Sequence, residues 1–352
     1  MARAAVRRKS TIYDIATATD SSPATVSLVL NGSWARYRIK KETALRILES
    51  ARLLSYNVNL KARGLRLSRS GLAGMILPHY RNRFFADLAE TFEAEARGRA
   101  LCPIVVSTQR DREVEAKVTQ TLLAQQVEVL FIAGVHDPAP LNRLCAAAGV
   151  PCVNLDLPGP GAPSVVTDNK GGARRLTEAL IEKVKARGER RMDFLYLGGI
   201  AGEYATDNRA VGFVEALNAQ GIEAGEEILV RCGYAPASAC EALTRYQATH
   251  RQLPSGLFIN SITAFEGFVR FTAALPRQSL ETMVVGCFDW DPFAAHLPFD
   301  VTMLRQDVET MIAEAFGALD ADKQQACPFT IVSPILMPAR AELPDAAPRV
   351  VA

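Results

Sequence analysis

Histidine is scarce in this chain. The four residues (His79, His136, His250 and His296) are isolated and lack metal-ligand spacing, so no metal is expected. The seven cysteines are odd in number and scattered. None forms a Cys-x-x-Cys pair and most lie in apolar surroundings, as reduced core cysteines do. No apolar run is long enough to cross a bilayer. Arg7, Arg8 and Lys9 are not followed by the apolar stretch of a signal peptide. The expectation is therefore a cytoplasmic protein with no membrane partner. Catalytic signatures are also missing. "LGGIAGEYA" is glycine-rich but has neither a P-loop lysine nor dinucleotide-fold spacing. There is no nucleophile elbow and no His/Asp set beside a nucleophile. The chain is expected not to be an enzyme and to need no cofactor.

Net charge is almost absent, at +2 over 352 residues, but its distribution is uneven. Residues 1–70 carry 14 Lys and Arg against 4 Asp and Glu, a net of +10, which leaves the remainder at −8. A basic head on a mildly acidic body points to a polyanionic partner for the head. That head has helical texture. In "TIYDIATAT" Ile12, Ile15 and Ala16 share a face, with Thr11 as N-cap and Asp14 in capping-box position. "SPATVSLVLN" follows, with Ser22 as N-cap, Pro23 at the first helical position and Asn31-Gly32 as the stop. The third helix, "KKETALRILESARLLS", is expected to bury Ala44, Leu45, Leu48, Ala51 and Leu54.

Two short helices joined by a tight turn suit major-groove recognition by the second. Thr25 and Ser27 are placed to reach base edges, Val26, Val29 and Leu30 face inward, and Asp20 takes the turn, where a left-handed backbone is tolerated. "YNVNLKARGLRLSRSG" then brings four positive charges, Leu65, Leu67 and no acidic residue. A short basic helix with a leucine wedge fits a minor groove.

From residue 71 short apolar strands alternate with amphipathic helices. "LAGMILP", "CPIVVST", "VEVLFIAG", "PCVNLDLP", "DFLYLGG", "ILVRCG", "SGLFINS" and "TMVVGCFD" read as strands. The alternation predicts parallel sheets covered by helices, in two successive α/β sets.

"TIYDIATATDSSPATVSLVLNG", "YNVNLKARGL" and the two-lobed body opening at "GLAGMILP" together resemble the LacI/GalR family of bacterial transcriptional regulators. "VVTDNKGGARRLTEAL", "LYLGGIAGEYATDNRAVGFVEAL", "VVGCFDWDPFAAHL" and "VTMLRQDVETM" follow in the family's order. Several stretches look most like its sucrose- and fructose-responsive repressors. The resemblance implies a small all-α helix-turn-helix head over residues 1–58, a hinge helix over 59–70, and a periplasmic-binding-protein-like α/β body over 71–352. The first lobe would run to about residue 165 and the second from 166 to about 300, with crossovers and a C-terminal exchange. It also implies a homodimer that binds a pseudo-palindromic DNA operator under the control of a sugar or sugar phosphate.

Matched residue by residue, the family assigns DNA contacts to Thr11, Tyr13, Pro23, Ala24, Thr25, Ser27, Leu28, Asn31 and Tyr37, and hinge contacts to Asn59, Ala62, Arg63 and Leu65. Leu28 stands where many members carry a polar or basic residue, which suggests apolar contact with a thymine methyl. Val58 replaces the usual proline before the hinge, and Gly64 lies within it. Effector contacts fall on residues just after strands, where parallel sheets bind ligands. They are Tyr80, Arg81, Phe84, Asp156, Arg209, Ser261, Asp289 and Gln306. Ser261-Ile262 stands where the family commonly has Asn-Asp, which removes a polar anchor. Arg81 and Arg83 are candidates to hold a phosphate. Two other classes fit part of the sequence: a sugar-binding protein with no DNA role, and an enzyme on an α/β scaffold. The basic head opposes the first and the missing signatures oppose the second.

Overall fold

The computed structural model describes residues 10–56, 69–188, 191–276, 279–280, 283–320 and 328–337. The chain divides into two compact units, Met1–Ser70 and Gly71–Ala352.

The first unit is built from α1 (Ile12–Ala18), α2 (Pro23–Leu30) and α3 (Lys41–Leu53). The caps form as expected. The amide of Thr11 donates to Asp14 Oδ2 at 2.7 Å and the amide of Asp14 donates to Thr11 Oγ1 at 3.4 Å. The amide of Thr25 donates to Ser22 Oγ at 3.0 Å. Asp20 takes φ 48° in the turn between α1 and α2. The core gathers Ile15, Ala16, Val26, Val29, Ala44, Ile47 and Ala51. On α3 the buried stripe is Ala44, Ile47 and Ala51, so the expected Leu45 and Leu48 point to solvent instead. Spacings of three and four put residues 44, 47 and 51 on one side, and Leu45 and Leu48 lie a quarter-turn round from it.

The second unit holds two six-stranded sheets. The first collects β1 (Leu72–Leu77), β2 (Cys102–Ser107), β3 (Val129–Ala133), β4 (Cys152–Leu155), β5 (Ser164–Thr167) and a late strand, β11 (Phe329–Val332). All are parallel, in the order β11-β5-β4-β3-β1-β2. The second collects β6 (Phe194–Leu197), β7 (Leu229–Val230), β8 (Gly256–Ile259), β9 (Val284–Phe288), β10 (Val301–Arg305) and β12 (Ile335–Met337). Its order is β12-β10-β9-β8-β6-β7, and β12 alone runs antiparallel.

The helices in this unit are α4 (Arg83–Gly98), α5 (Arg112–Ala124), α6 (Pro138–Ala148), α7 (Asn169–Ala186), α8 (Tyr204–Ala219), α9 (Pro236–His250), α10 (Ile262–Thr272) and α11 (Val308–Asp320). Separate apolar cores lie on the two faces of each sheet, as layers of helix, sheet and helix require. Helix α11 follows the second sheet in sequence but puts Val308, Met311, Ile312 and Phe316 into the first lobe's core. Helix α7 packs with the second lobe. The chain therefore changes lobe at three short points, residues 167–169, 305–308 and 332–335.

Candidate effector site and DNA-contact face

In each sheet the strand order reverses direction, between β1 and β3 in the first lobe and between β6 and β8 in the second. Crevices open outside the carboxyl ends of strands at such reversals, and ligands bind there. The residues that leave these strand ends form the candidate site.

Arg209, on the second turn of α8, is only 4 % exposed. Its Nε donates to Asn169 Oδ1 at 2.8 Å and its Nη1 to the carbonyl of Asn260 at 2.5 Å. Its guanidinium carbon lies 3.7 Å from the ring centroid of Phe288, a cation–π stack that fixes the fork. Asp289 follows β9 with φ 105°. Its Oδ2 accepts from the amide of Ile262 at 3.1 Å and its Oδ1 from Gln306 Nε2 at 2.7 Å. Gln306 Oε1 accepts from Thr167 Oγ1 at 2.5 Å. Asn169 Nδ2 donates to the carbonyl of Thr167 at 3.1 Å. The result is one buried polar network running Arg209, Asn169, Thr167, Gln306, Asp289, and it spans two of the lobe crossings.

Asp156 follows β4 with φ 70° and is 6 % exposed. Its carboxylate accepts no hydrogen bond among the described residues. Burial pushes its pKa from 3.8 up to about 6, against the pull of Arg209 and Arg110 and with the push of Asp289 and Glu203. Asp289 is raised for the same first reason, burial, and is partly held down by Arg209 and by its bond from Gln306. Both aspartates occupy a left-handed backbone region that costs non-glycine residues about 1–3 kcal/mol, and such strain concentrates where side chains must be aimed.

Two links cross from lobe to lobe beside this network. Arg110 Nη1 meets Glu203 Oε1 at 2.8 Å and stacks 4.9 Å above Tyr234, whose hydroxyl donates to Glu203 Oε2 at 2.6 Å. Burial raises the Tyr234 hydroxyl to about 12, so it stays a donor. Arg83 Nη1 lies 3.6 Å from Asp291 Oδ2 with its guanidinium over Trp290. Arg83 also faces Asp87, with its Nε 3.7 Å from Oδ2 and without a hydrogen-bond partner among the described residues.

Of the eight expected effector residues, Asp156, Arg209, Asp289 and Gln306 are the four that the structure gathers here. The other four lie outside this network. Phe84 is buried in the first lobe's core against Phe85, with ring centroids 4.9 Å apart, because both rings on the first turn of α4 fall toward the sheet. Ser261 is the N-cap of α10, and its hydroxyl is engaged by the amide of Ala264 at 3.3 Å and by Thr263. Tyr80 is half exposed and donates to the carbonyl of Val105 at 3.1 Å. Arg81 is exposed, and neither it nor Tyr80 hydrogen-bonds to the network. Asn169, Asn260, Thr167, Arg110 and Glu203 are additions that sequence reasoning missed. Only their positions just after strands could have signalled the first three. Asn260 Nδ2 is buried without a partner, beside Gly199.

In the first unit, Val26 and Val29 anchor α2. Ala24 is exposed, and Pro23, Thr25, Ser27, Leu28 and Asn31 are half-buried on the remaining sides. Tyr13 and Tyr37 are exposed at 67 % and 57 %, which is unusual for rings not used in a core and suits contact with sugar-phosphate backbone. Thr11 spends its hydroxyl on Asp14, leaving it a capping role first. Asn31 Nδ2 donates back to the carbonyl of Ser27 at 2.7 Å. The expected hinge residues Asn59, Ala62, Arg63 and Leu65 lie outside the described residues.

A capped helix pair with a polar outer face, and a two-lobed α/β body with a buried polar network at its strand ends, define a ligand-responsive DNA-binding regulator. Comparison with known proteins gives the family. Residues 11–59 match the profile of bacterial regulatory proteins of the lacI family, and residues 73–292 match a periplasmic binding protein domain. The ribitol operon repressor of Klebsiella aerogenes is 40 % identical over 192 residues, 54 % of this chain and 71 % of that protein. The sucrose operon repressor of Klebsiella pneumoniae is 29 % identical over 265 residues, 75 % of this chain and 78 % of that protein. Among solved structures, the lac repressor dimer bound to operator and the anti-inducer ONPF superposes with a TM-score of 0.75 at 19 % identity, over 95 % of this chain and 99 % of that one. At that identity the likeness is one of fold. The chain belongs to the LacI family of bacterial regulatory proteins. Among the described residues no helix is long and apolar enough to cross a membrane.

Proposed function

We propose that this protein is a homodimeric transcriptional repressor whose operator affinity is set by a small polyhydroxylated effector in the interlobe cleft. The reading places it in the cytoplasm, where its operator is, and makes it a binder and not an enzyme. The observation that carries it is the network from Arg209 to Asp289, which ties ligand-facing groups to Thr167 and Gln306 at two of the three lobe crossings. A ligand with different affinities for two lobe arrangements shifts their populations, and that shift is what the DNA-binding unit reports. The named relatives repress ribitol and sucrose operons, so ribitol and sucrose, with the fructose-related compounds suggested by family resemblance, head the candidate effectors.

The test is operator binding by the full chain. A pseudo-palindromic duplex from upstream of neighbouring sugar- or polyol-uptake genes should be bound with a steep salt dependence, since phosphate contacts release counterions. Addition of the effector should change that affinity by about 5- to 150-fold. Failure to bind any such duplex at low salt removes the proposal.

A further inference from the structure

Arg110 crosses from the first lobe to the second. It follows β2 on a turn in which Gln109 and Arg110 both take left-handed backbone, at φ 57° and 58°. Non-glycine residues seldom adopt that region, and such strain gathers where function requires it. The guanidinium that the turn projects makes two contacts with the second lobe. Its Nη1 meets Glu203 Oε1 at 2.8 Å, and its central carbon lies 4.9 Å from the centroid of the Tyr234 ring. The Tyr234 hydroxyl donates to Glu203 Oε2 at 2.6 Å. Each oxygen of Glu203 is therefore engaged, one by each lobe. Glu203 stands at the N-cap of α8, yet its side chain caps nothing in that helix. The three side chains close a triangle, so Arg110 cannot leave the carboxylate without also leaving the ring that is tied to it.

This pair differs from the chain's surface ion pairs. The side chains of Arg110 and Glu203 are 27 % and 22 % exposed, against 74 % and 54 % for Arg52 and Glu49, so water and salt screen it less. The triangle is also tied inward. The Tyr234 hydroxyl accepts from Thr206 Oγ1 at 3.0 Å. The Tyr196 hydroxyl lies 3.2 Å from the Thr206 carbonyl and 2.5 Å from Asn260 Oδ1, and the Asn260 carbonyl holds Arg209. A line of polar contacts thus runs from Arg110 to Arg209 without using any of the three lobe crossings. The second link, Arg83 to Asp291, is looser at 3.6 Å, but it sets a guanidinium over Trp290. Trp290 therefore senses from its own side whether the lobes stay together.

We infer that Arg110, Glu203 and Tyr234 form an interlobe latch, which holds the lobes in this arrangement with nothing in the cleft and so sets the operator affinity of the effector-free protein. Two lobe arrangements in equilibrium are populated according to the contacts each one makes. A contact made in one arrangement only shifts that balance, as a ligand would, and is present at all times. Arg110 acts here as a positioning residue, through the lobes and not through the DNA. The effect on operator affinity rests on the effector-responsive reading above, whereas the latch itself rests on the lobe contact alone.

The experiment uses the full chain with no sugar added. Arg110→Gln, Glu203→Gln and the double variant form a double-mutant cycle, and Tyr234→Phe keeps the ring under Arg110 while removing the hydroxyl. The chain has two tryptophans, Trp34 and Trp290, so in a Trp34→Phe background the emission comes from Trp290 alone. Each glutamine variant should move that emission to longer wavelength as Arg83 and the first lobe draw away. With Trp34 intact, each should change effector-free operator affinity by about 5-fold or more. The double variant should match the singles to within about 2-fold, since either substitution already opens the latch, and Tyr234→Phe should fall between them and the parent. Unchanged Trp290 emission in both single variants overturns the latch whatever the operator data show. Effects that multiply in the double variant also overturn it, because the two residues would then act apart. Shifted emission with unchanged operator affinity overturns the regulatory half. A parent chain that binds no operator removes the proposed function, while the emission still decides the latch.

Discussion

Thr167 and Gln306 are 139 positions apart, yet the hydroxyl of one donates to the side-chain carbonyl of the other at 2.5 Å. Each sits where the chain passes between lobes. Gln306 also holds Asp289 at 2.7 Å, so the bond ties the Asp289 carboxylate to both crossings. Thr167→Val keeps the shape and removes the donor. It should cost about 1–3 kcal/mol of stability through the stranded buried carbonyl. Effector affinity should change by only a few-fold, while the effect of effector on operator affinity shrinks. Titrating operator binding with and without effector checks this, and undiminished coupling in the variant would show the bond to be merely structural.

Asp156 gives a pH signature. Its pKa rises from 3.8 in the ordinary state to about 6 when buried in the folded chain. Well below pH 3.8 it is protonated whether folded or not and costs nothing. As pH climbs toward 6 the unfolded chain releases the proton first, so the folded state loses ground, and above about 6 the full penalty is present. Asp156→Asn, neutral throughout, should therefore raise stability at pH 7.5 by about 1–3 kcal/mol and at pH 4 by only a small part of that. Thermal unfolding of both proteins at the two pH values is the measurement, and an equal gain at both would contradict the assigned cause.

Arg209 is the next case. Arg209→Ala leaves two buried carboxylates without their main counter-charge and should destabilise the body by about 3 kcal/mol or more at neutral pH. Arg209→Lys retains the charge and loses the fork that reaches both Asn169 and Asn260. Both variants should lose the effector-induced thermal shift and still bind operator. Persistence of the shift in the lysine variant would count against a direct contact.

Leu28 lies half-buried on α2, on the side away from Val26 and Val29. Leu28→Ala should change stability by no more than about 1 kcal/mol. On a set of duplexes substituted base by base, it should flatten the preference for thymine at one position of each half-site and leave the others intact. Unaltered preference at every position would take Leu28 off the reading face.

Gly212 sits where α8 crosses α7. A β-carbon there would stand 2.2 Å from the carbonyl oxygen of Lys170, a backbone atom with no freedom to retreat. Gly212→Ala should lower stability by about 1–3 kcal/mol, through overpacking, and the loss should appear in the body's unfolding transition. Gly317→Ala, with open space around its β-carbon, is the control and should be neutral or slightly stabilising.

The sequence made some of this legible and hid the rest for identifiable reasons. Thr11, Asp14, Ser22, Pro23 and Asp20 act through neighbours within four residues, so their roles could be read locally. Asp156, Arg209, Asp289 and Gln306 stood out through strand-end position and family pattern. Thr167, Asn169 and Asn260 did not, because a polar residue after a strand reads as a cap until the partner across the fold is known. Arg110 and Glu203 are 93 residues apart on different lobes, and no local pattern couples them. Two adjacent rings suggest one free to stack on a sugar, and the burial of both Phe84 and Phe85 by the first turn of α4 depends on packing that the local sequence does not show. Strand β5 is four residues long, and β11 and β12 join sheets begun far earlier, so periodicity alone did not reveal them.

The late arrival of β11 and α11 in the first lobe bears on how the protein is made. Strand β5 pairs along its length with β11, from Ser164 with Phe329 to Thr167 with Val332. On the face of the first sheet that carries Phe131, Phe316 of α11 packs against that ring and against Phe92 of α4. A nascent chain that has emerged from the ribosome as far as residue 167 thus has neither its last sheet neighbour nor its covering helix. Until some 150 further residues appear, the first lobe must wait with an open strand edge and uncovered aromatic rings, the kind of surface that chaperones bind. Slowing synthesis through the second lobe should therefore lower the yield of active protein, even though the second lobe's own residues are unchanged.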